Sequence, residues 1–165
     1  MDAGNIHASC VVLRGAGEAF GAPGDCGVLL LGESGAGKSD LALRLISRGA
    51  QLVADDRVEL FARDDALWAR APKTLAGLIE VRGVGVLSLP FDGEARIGLA
   101  VQLVPREKMP RMPDLERYEV PPHLAVTTNP PLIRLAPFDH SAVAKIAAAA
   151  AAFANPPIEA EGKPK

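Results

Sequence analysis

A mixed α/β fold, in which two helices bracket a long block of short strands, is what this sequence predicts. Three observations predict it. Gly32-Glu33-Ser34-Gly35-Ala36-Gly37-Lys38-Ser39 matches the phosphate-loop pattern G-x-x-x-x-G-K-[ST]. The loop is preceded by the apolar run Val28-Leu29-Leu30-Leu31 and followed by a segment of helix formers punctuated by Leu41, Leu43, Leu45 and Ile46. That is a buried strand, a turn and a helix. From Gln51 to Val104 the apolar pattern is then strand-like, where a plain doubly wound sheet would alternate strand with helix.

Taken in order, Ile6 to Leu13 reads as the first strand, with His7 near its start. Gly15, Gly17, Gly21, Pro23 and Gly24 mark an irregular loop, with Ala19-Phe20 as a scrap of strand inside it. The strand, phosphate loop and helix follow, and the helix stops at Gly49. Gln51–Ala54 is a short strand running into Asp55-Asp56, and Val58–Phe61 is the next. Leu67–Ala69 reads as its hairpin partner across Asp64-Asp65. Leu75–Ile79 leads into Glu80-Val81-Arg82-Gly83-Val84-Gly85-Val86-Leu87, and Ala95–Val104 is a further strand introduced by Asp92-Gly93. Pro105 to Pro131 is dense in proline and predicts a long loop or an ordered excursion over the surface. Leu132–Leu135 is a last strand, and Asp139 or Ser141 is placed to cap a final Ala-rich helix running to about Ala154. The expected organisation is one catalytic domain over 1–154 and a polar tail, 155–165, without fixed structure.

Bulk properties narrow the function classes. At 165 residues the chain is long enough to bury a core of its own. A formal charge of −2 argues against a dedicated nucleic-acid binder. No apolar stretch is long enough to span a membrane and the N-terminus lacks the features of a secretory signal, so a cytoplasmic protein is expected. Cys10, read in a strand, and Cys26, read in a loop entering one, lack metal-site spacing and are expected as free thiols.

The phosphate loop carries the clearest chemistry. Unpaired N–H groups and the positive end of the helix dipole converge there on an anion, and glycines let the backbone approach it. Lys38 can neutralise a β- or γ-phosphate, and the Ser39 hydroxyl is placed to ligate Mg²⁺. Asp55-Asp56 follow an apolar strand directly, where such folds hold a metal or its water; a polar turn would use the same residues. Side chains two apart on a strand share a face, so Glu80 and Arg82 can reach one site, as a metal carboxylate and a phosphate-binding guanidinium or as a surface ion pair. His7 alone reads as a satisfied or surface histidine, and Arg106, Arg111 and Arg117 are generic loop arginines, though a loop can deliver one to a transferring phosphoryl group.

Four ordered motifs together resemble the catalytic domain of the HPr kinase/phosphorylase family. They are Ile6-His7, the phosphate loop through Asp40, Leu52-Val53-Ala54-Asp55-Asp56-Arg57-Val58, and Glu80-Val81-Arg82-Gly83-Val84-Gly85-Val86. The resemblance implies a nucleotide-binding fold similar to phosphoenolpyruvate carboxykinase, and ATP- and Mg²⁺-dependent phosphorylation of a serine on the phosphocarrier protein HPr. It makes Asp56 the general base, and the general acid of the reverse, phosphate-driven reaction. Lys38 would hold the transferring phosphoryl group, Ser39 and Glu80 the Mg²⁺ with Asp55 supporting them, and His7 would lie near the phosphates. Arg82 would be a supporting residue, and Arg111 stands where the family carries an active-site arginine.

The chain departs from the family pattern in three places. It begins at the catalytic domain, so a short form is expected. Its stretch between His7 and the loop is longer than usual, and Pro131 to Asp139 lacks the second arginine of the family's P-V-R-P-G-R-N segment. A homo-oligomer is compatible with the resemblance. The rival readings are a small-molecule kinase with a phosphate loop and a nucleotide-sensing module without turnover.

Overall fold

The computed structural model describes residues 4–22 and 24–156, so most of the tail expected to lack fixed structure, 157–165, lies outside the described residues. Ten strands and two α-helices follow in the order β1 (Gly4–Leu13), β2 (Cys26–Leu31), α1 (Lys38–Ser47), β3 (Gln51–Ala54), β4 (Arg57–Arg63), β5 (Ala66–Arg70), β6 (Leu78–Val81), β7 (Gly85–Ser88), β8 (Ala95–Leu103), β9 (Glu116–Arg117), β10 (Pro131–Leu135) and α2 (Ala142–Phe153). The expected strand-rich middle between two helices is present.

Eight strands form one sheet in the order β2-β1-β4-β5-β8-β10-β9. Strand β3 pairs with β1, and β2 also pairs with β8, in parallel. The path β1-β4-β5-β8-β2 therefore returns to β1, and the sheet curls onto itself. Its two faces bury separate cores. Val11, Val28, Leu30, Leu52, Leu99 and Val101 pack against Leu41 and Leu45 of α1 and Ile146 and Ala150 of α2. Cys10, Val12, Leu29, Val53, Val58, Leu60 and Ile97 fill the opposite side. Burial on both faces is why β2 is apolar without alternation. Each fully buried Leu or Val contributes roughly 1.5–3 kcal/mol, so the strand ahead of the phosphate loop is a rigid base for it.

Helix α1 ends as expected at Gly49, which is left-handed at φ 103°. Its N–H reaches the Ile46 carbonyl and the Ala50 N–H reaches that of Leu45, a Schellman stop that a residue with a side chain would strain. Ser141 occupies the N-cap position of α2 but makes no side-chain capping bond.

Two local readings are corrected, those of Ala19-Phe20 and of Cys26. Ala19-Phe20 is no strand: Glu18–Phe20 is a turn of 3-10 helix flanked by left-handed Gly17 and Gly21. Lys73–Leu75, which ends on the first residue of the apolar stretch before Glu80, is also a 3-10 turn. Cys26 is the first residue of β2 rather than part of the loop before it, and is buried. Of the two readings of the proline-rich stretch the ordered excursion holds, because Tyr118, Val120, Leu124 and Val126 pack on the second core and Glu116 pairs bidentately with Arg134 of β10. Burial raises the Tyr118 hydroxyl pKa, and Arg134 lowers that of Glu116.

Both cysteines are free and buried. Burial disfavours the thiolate, pushing Cys26 up to about 12 and Cys10 further still. Neither thiol is therefore expected to react with a thiol-specific reagent at pH 8 until denaturant is added. Rapid labelling of the native protein would contradict this packing.

Candidate phosphoryl-transfer site

The site is built where one long antiparallel strand breaks. Opposite β1, Cys10 faces Ala54 of β3 and His7 faces Arg57 of β4. Those are the partners a single uninterrupted strand would have. Between them, opposite Ala8 and Ser9, lie Asp55 and Asp56. The Arg57 N–H bonds to the Asp55 carbonyl at 2.8 Å, closing a three-residue γ-turn around Asp56, whose φ is 69°. Such a turn is rare and strained, and Asp is among the few residues that tolerate it. The Asp56 carbonyl still accepts from the Ala8 N–H at 3.3 Å.

The break gives the two carboxylates different surroundings. Asp55 is buried, and its Oδ1 accepts from the hydroxyls of Ser9 and Ser39, each at 2.7 Å. Its Oδ2 accepts from the Glu80 N–H at 3.3 Å. It thus ties β1, the phosphate loop and β6 to one group. The Asp56 side chain is 67% exposed, and its Oδ1 lies 2.8 Å from His7 Nε2. His7 is reached diagonally across the strand pair, through the neighbour of its direct partner Arg57.

Gly37 is left-handed at φ 103° and starts α1, so Lys38 and Ser39 sit in the first turn, where the loop's free N–H groups converge. Lys38 Nζ donates to the carbonyls of Gly32 at 2.7 Å and Glu33 at 2.9 Å, curling the loop around itself. An ammonium has three donors, so one remains for a phosphate oxygen. Burial lowers the Lys38 pKa, and the charges of Asp56 and Asp55 oppose that shift.

Beside the loop is a cavity of about 310 Å³ whose walls include His7, Lys38, Ser39, Asp56, Glu80 and Arg82. Ser34, Gly35 and Gly37 of the loop also line it. The structure therefore brings together residues read from four separate motifs. Glu80 and Arg82 share the cavity for a reason other than strand alternation: β6 ends at Val81, and Arg82 opens the turn that follows. Arg111 lies in an exposed bend and is not among the residues lining this cavity. Ser9, fully buried on Asp55, was missed by the sequence, since a serine in an apolar strand carries no motif.

The oxygen donors free to turn towards a metal are the Ser39 hydroxyl and the Glu80 carboxylate, while the other carboxylate of the cavity, Asp56, is engaged by the His7 imidazole. Hard oxygen donors of this kind suit Mg²⁺, which is commonly held by one or two side chains together with substrate phosphates. Asp55, already accepting three hydrogen bonds, engages the Ser39 hydroxyl as a donor, which leaves that oxygen's lone pairs for another partner.

Fold and site define a phosphate-loop protein with a pair of carboxylates at the loop's flank. Residues 23–120 match the model of the HPr Serine kinase C-terminal domain. The chain belongs to that family. It is 48% identical over 104 residues to the HPr kinase/phosphorylase of Leptothrix cholodnii, covering 58% of this chain and 31% of that one. It is 45% identical over 104 residues to that of Polaromonas naphthalenivorans, covering 58% of this chain and 32% of the relative. With that of Streptococcus pneumoniae it shares 52% identity over 64 residues, which cover 38% of this chain and 21% of the relative. The match thus spans about a third or less of these relatives. The solved structure of the Hpr(Ser) kinase/phosphatase from Coxiella burnetii superposes with a TM-score of 0.70 at 28% identity, over 88% of this chain and 92% of that one. The fold is the phosphoenolpyruvate carboxykinase-like nucleotide-binding fold that the sequence implied. No helix among the described residues is long and apolar enough to cross a membrane.

Ser9→Ala removes one of the three donors to Asp55 and is expected to cost about 1 kcal/mol. Urea unfolding checks this: the midpoint should fall at unchanged slope, and an unchanged midpoint would show that Ser9 contributes nothing to Asp55.

Proposed function

We propose that this chain is the catalytic domain of a cytoplasmic, Mg²⁺-dependent kinase that transfers the γ-phosphoryl group of ATP to a serine of HPr, and so regulates the phosphotransferase system. The observation that carries the proposal is the exposed Asp56, held against His7 across a cavity from Lys38 and Ser39. Family membership and the named relatives support HPr as the acceptor.

The chemistry follows from where each group sits. The phosphate loop holds the β- and γ-phosphates through its N–H groups and the remaining Lys38 proton. Ser39 and Glu80 would hold Mg²⁺, whose role is to neutralise charge building on the phosphate oxygens. The incoming serine hydroxyl lies against Asp56 and gives its proton to that carboxylate as its oxygen attacks the γ-phosphorus. The new O–P bond forms as the bond to ADP breaks. His7, donating to Asp56 from Nε2, fixes the carboxylate's direction and limits its freedom to pair with Lys38. In the phosphate-driven reversal Asp56 returns the proton to the serine oxygen. Arg82, at the cavity rim, and Arg111, if brought in from its bend by substrate, would stabilise charge on the transferred group.

Incubation with HPr, Mg²⁺ and labelled ATP should place label on a serine of HPr, and phosphate added to phospho-HPr should release it. Asp56→Asn is the suitable control because Asn also tolerates positive φ; it should lower transfer by about 10²-fold or more. Label on a small-molecule acceptor, or ATP binding with no transfer to HPr, would overturn the assignment.

A further inference from the structure

The phosphate-loop cavity carries polar and apolar lining side by side. Lys38, Ser39, Asp56 and His7 are among its polar residues. Leu43, one helical turn beyond Ser39 on the same face of α1, and Phe138 form apolar wall. Phe138 is the unusual member. Its side chain is 70% exposed, in a chain where aromatics make up 4% of residues. A Cβ added to Gly37 would lie 2.8 Å from Phe138 Cζ, so the tip of the ring abuts the phosphate loop while much of its faces stays open. The ring also borders a second cavity of about 800 Å³ on the outer side of the loop.

The backbone carrying this ring is held, not loose. The Arg44 guanidinium, itself paired with Asp40 at 3.0 Å, donates to the Pro137 carbonyl. The Ala136 N–H points to Met109 Sδ at 3.5 Å, and Asp139 lies within ion-pair distance of Arg106 and Lys145. The chain thus fixes a large apolar side chain in water beside its anion-binding loop. Burial does not account for that placement, and Phe138 lies beyond the residues matched by the family model. A ligand with a polyanion at one end and a flat aromatic group at the other accounts for it.

The geometry points to Phe138 as the stacking platform for the nucleobase of the phosphoryl donor, with Leu43 as the apolar wall near it. The residue makes the site selective for a nucleoside triphosphate over a bare polyphosphate of equal charge. This inference rests on the reading of the cavity as a nucleotide site, and it does not depend on which protein accepts the phosphoryl group.

Equilibrium binding of Mg²⁺-ATP and of Mg²⁺-tripolyphosphate to the full chain, without HPr, tests it. The unaltered chain should bind ATP the more tightly. Phe138→Ala should raise the ATP Kd roughly tenfold, as loss of one base–aromatic stack does, and leave tripolyphosphate within about twofold, while Phe138→Tyr keeps both near their original values. Equal weakening of both ligands would make Phe138 a prop for the loop and overturn the inference. So would an unchanged ATP Kd, or equal affinity of the unaltered chain for the two ligands. If the unaltered chain binds neither ligand, the nucleotide reading of the cavity fails and this inference with it. Absence of transfer to HPr with the stacking effect intact would overturn only the acceptor assignment.

Discussion

Consecutive side chains on a strand leave opposite faces, so an unbroken strand cannot turn two neighbouring carboxylates towards one loop. The γ-turn at Asp56 breaks the strand between the pairs His7–Arg57 and Cys10–Ala54, which share one register; beyond Cys10 the register against β1 shifts by one residue. The strand pairing therefore sets where the break lies, and the break sets where the carboxylates go. Asp55 turns inward to Ser9, Ser39 and the Glu80 amide, and Asp56 turns outward to His7 and the cavity. Strain of this kind costs of order 1–3 kcal/mol and persists only where surrounding structure over-determines it. Here the surroundings are β1 and the two-sided core beneath it.

The same core fixes the phosphate loop. Its strand, β2, is hydrogen-bonded on both edges, to β1 and to β8, and buried on both faces. Its helix packs Leu41 and Leu45 onto that sheet. Loop and carboxylates thus follow two strands, β2 and β3, that both pair with β1, and Asp55 links them directly through Ser39. A shift of either strand would be felt at that bond. The curled sheet thereby sets the distance between the phosphate-binding loop and the exposed Asp56.

Much of this was legible in the sequence, and the reasons are specific. The phosphate loop combines fixed residue types with a strand before and a helix after, and both contexts are local. Asp55-Asp56 could be singled out as acids ending an apolar strand downstream of the loop, and Glu80 by its spacing to Arg82. The break at Asp56 was not legible, since it depends on pairing with β1, which is remote in sequence. His7 reads as an ordinary strand histidine from its own surroundings, the resemblance places it near the phosphates, and the pairing with Asp56 comes from the structure. Ser9 and Phe138 were out of reach: a buried serine looks like any small strand residue, and an exposed phenylalanine looks like core until its neighbours are known. Arg82 reached the cavity by a turn rather than by strand periodicity, and Ala19-Phe20 was misread because two residues between glycines carry no period at all.

The division of labour between the two carboxylates is the central claim, and Mg²⁺-nucleotide binding by the two amide variants tests it most directly. Asp55→Asn should weaken Mg²⁺-ATP binding by about tenfold or more, because the Ser39 hydroxyl loses the carboxylate that orients it. Asp56→Asn should bind Mg²⁺-ATP within about threefold of the unaltered protein while losing phosphoryl transfer. Equal loss of binding in both variants, or loss confined to Asp56→Asn, would contradict the account.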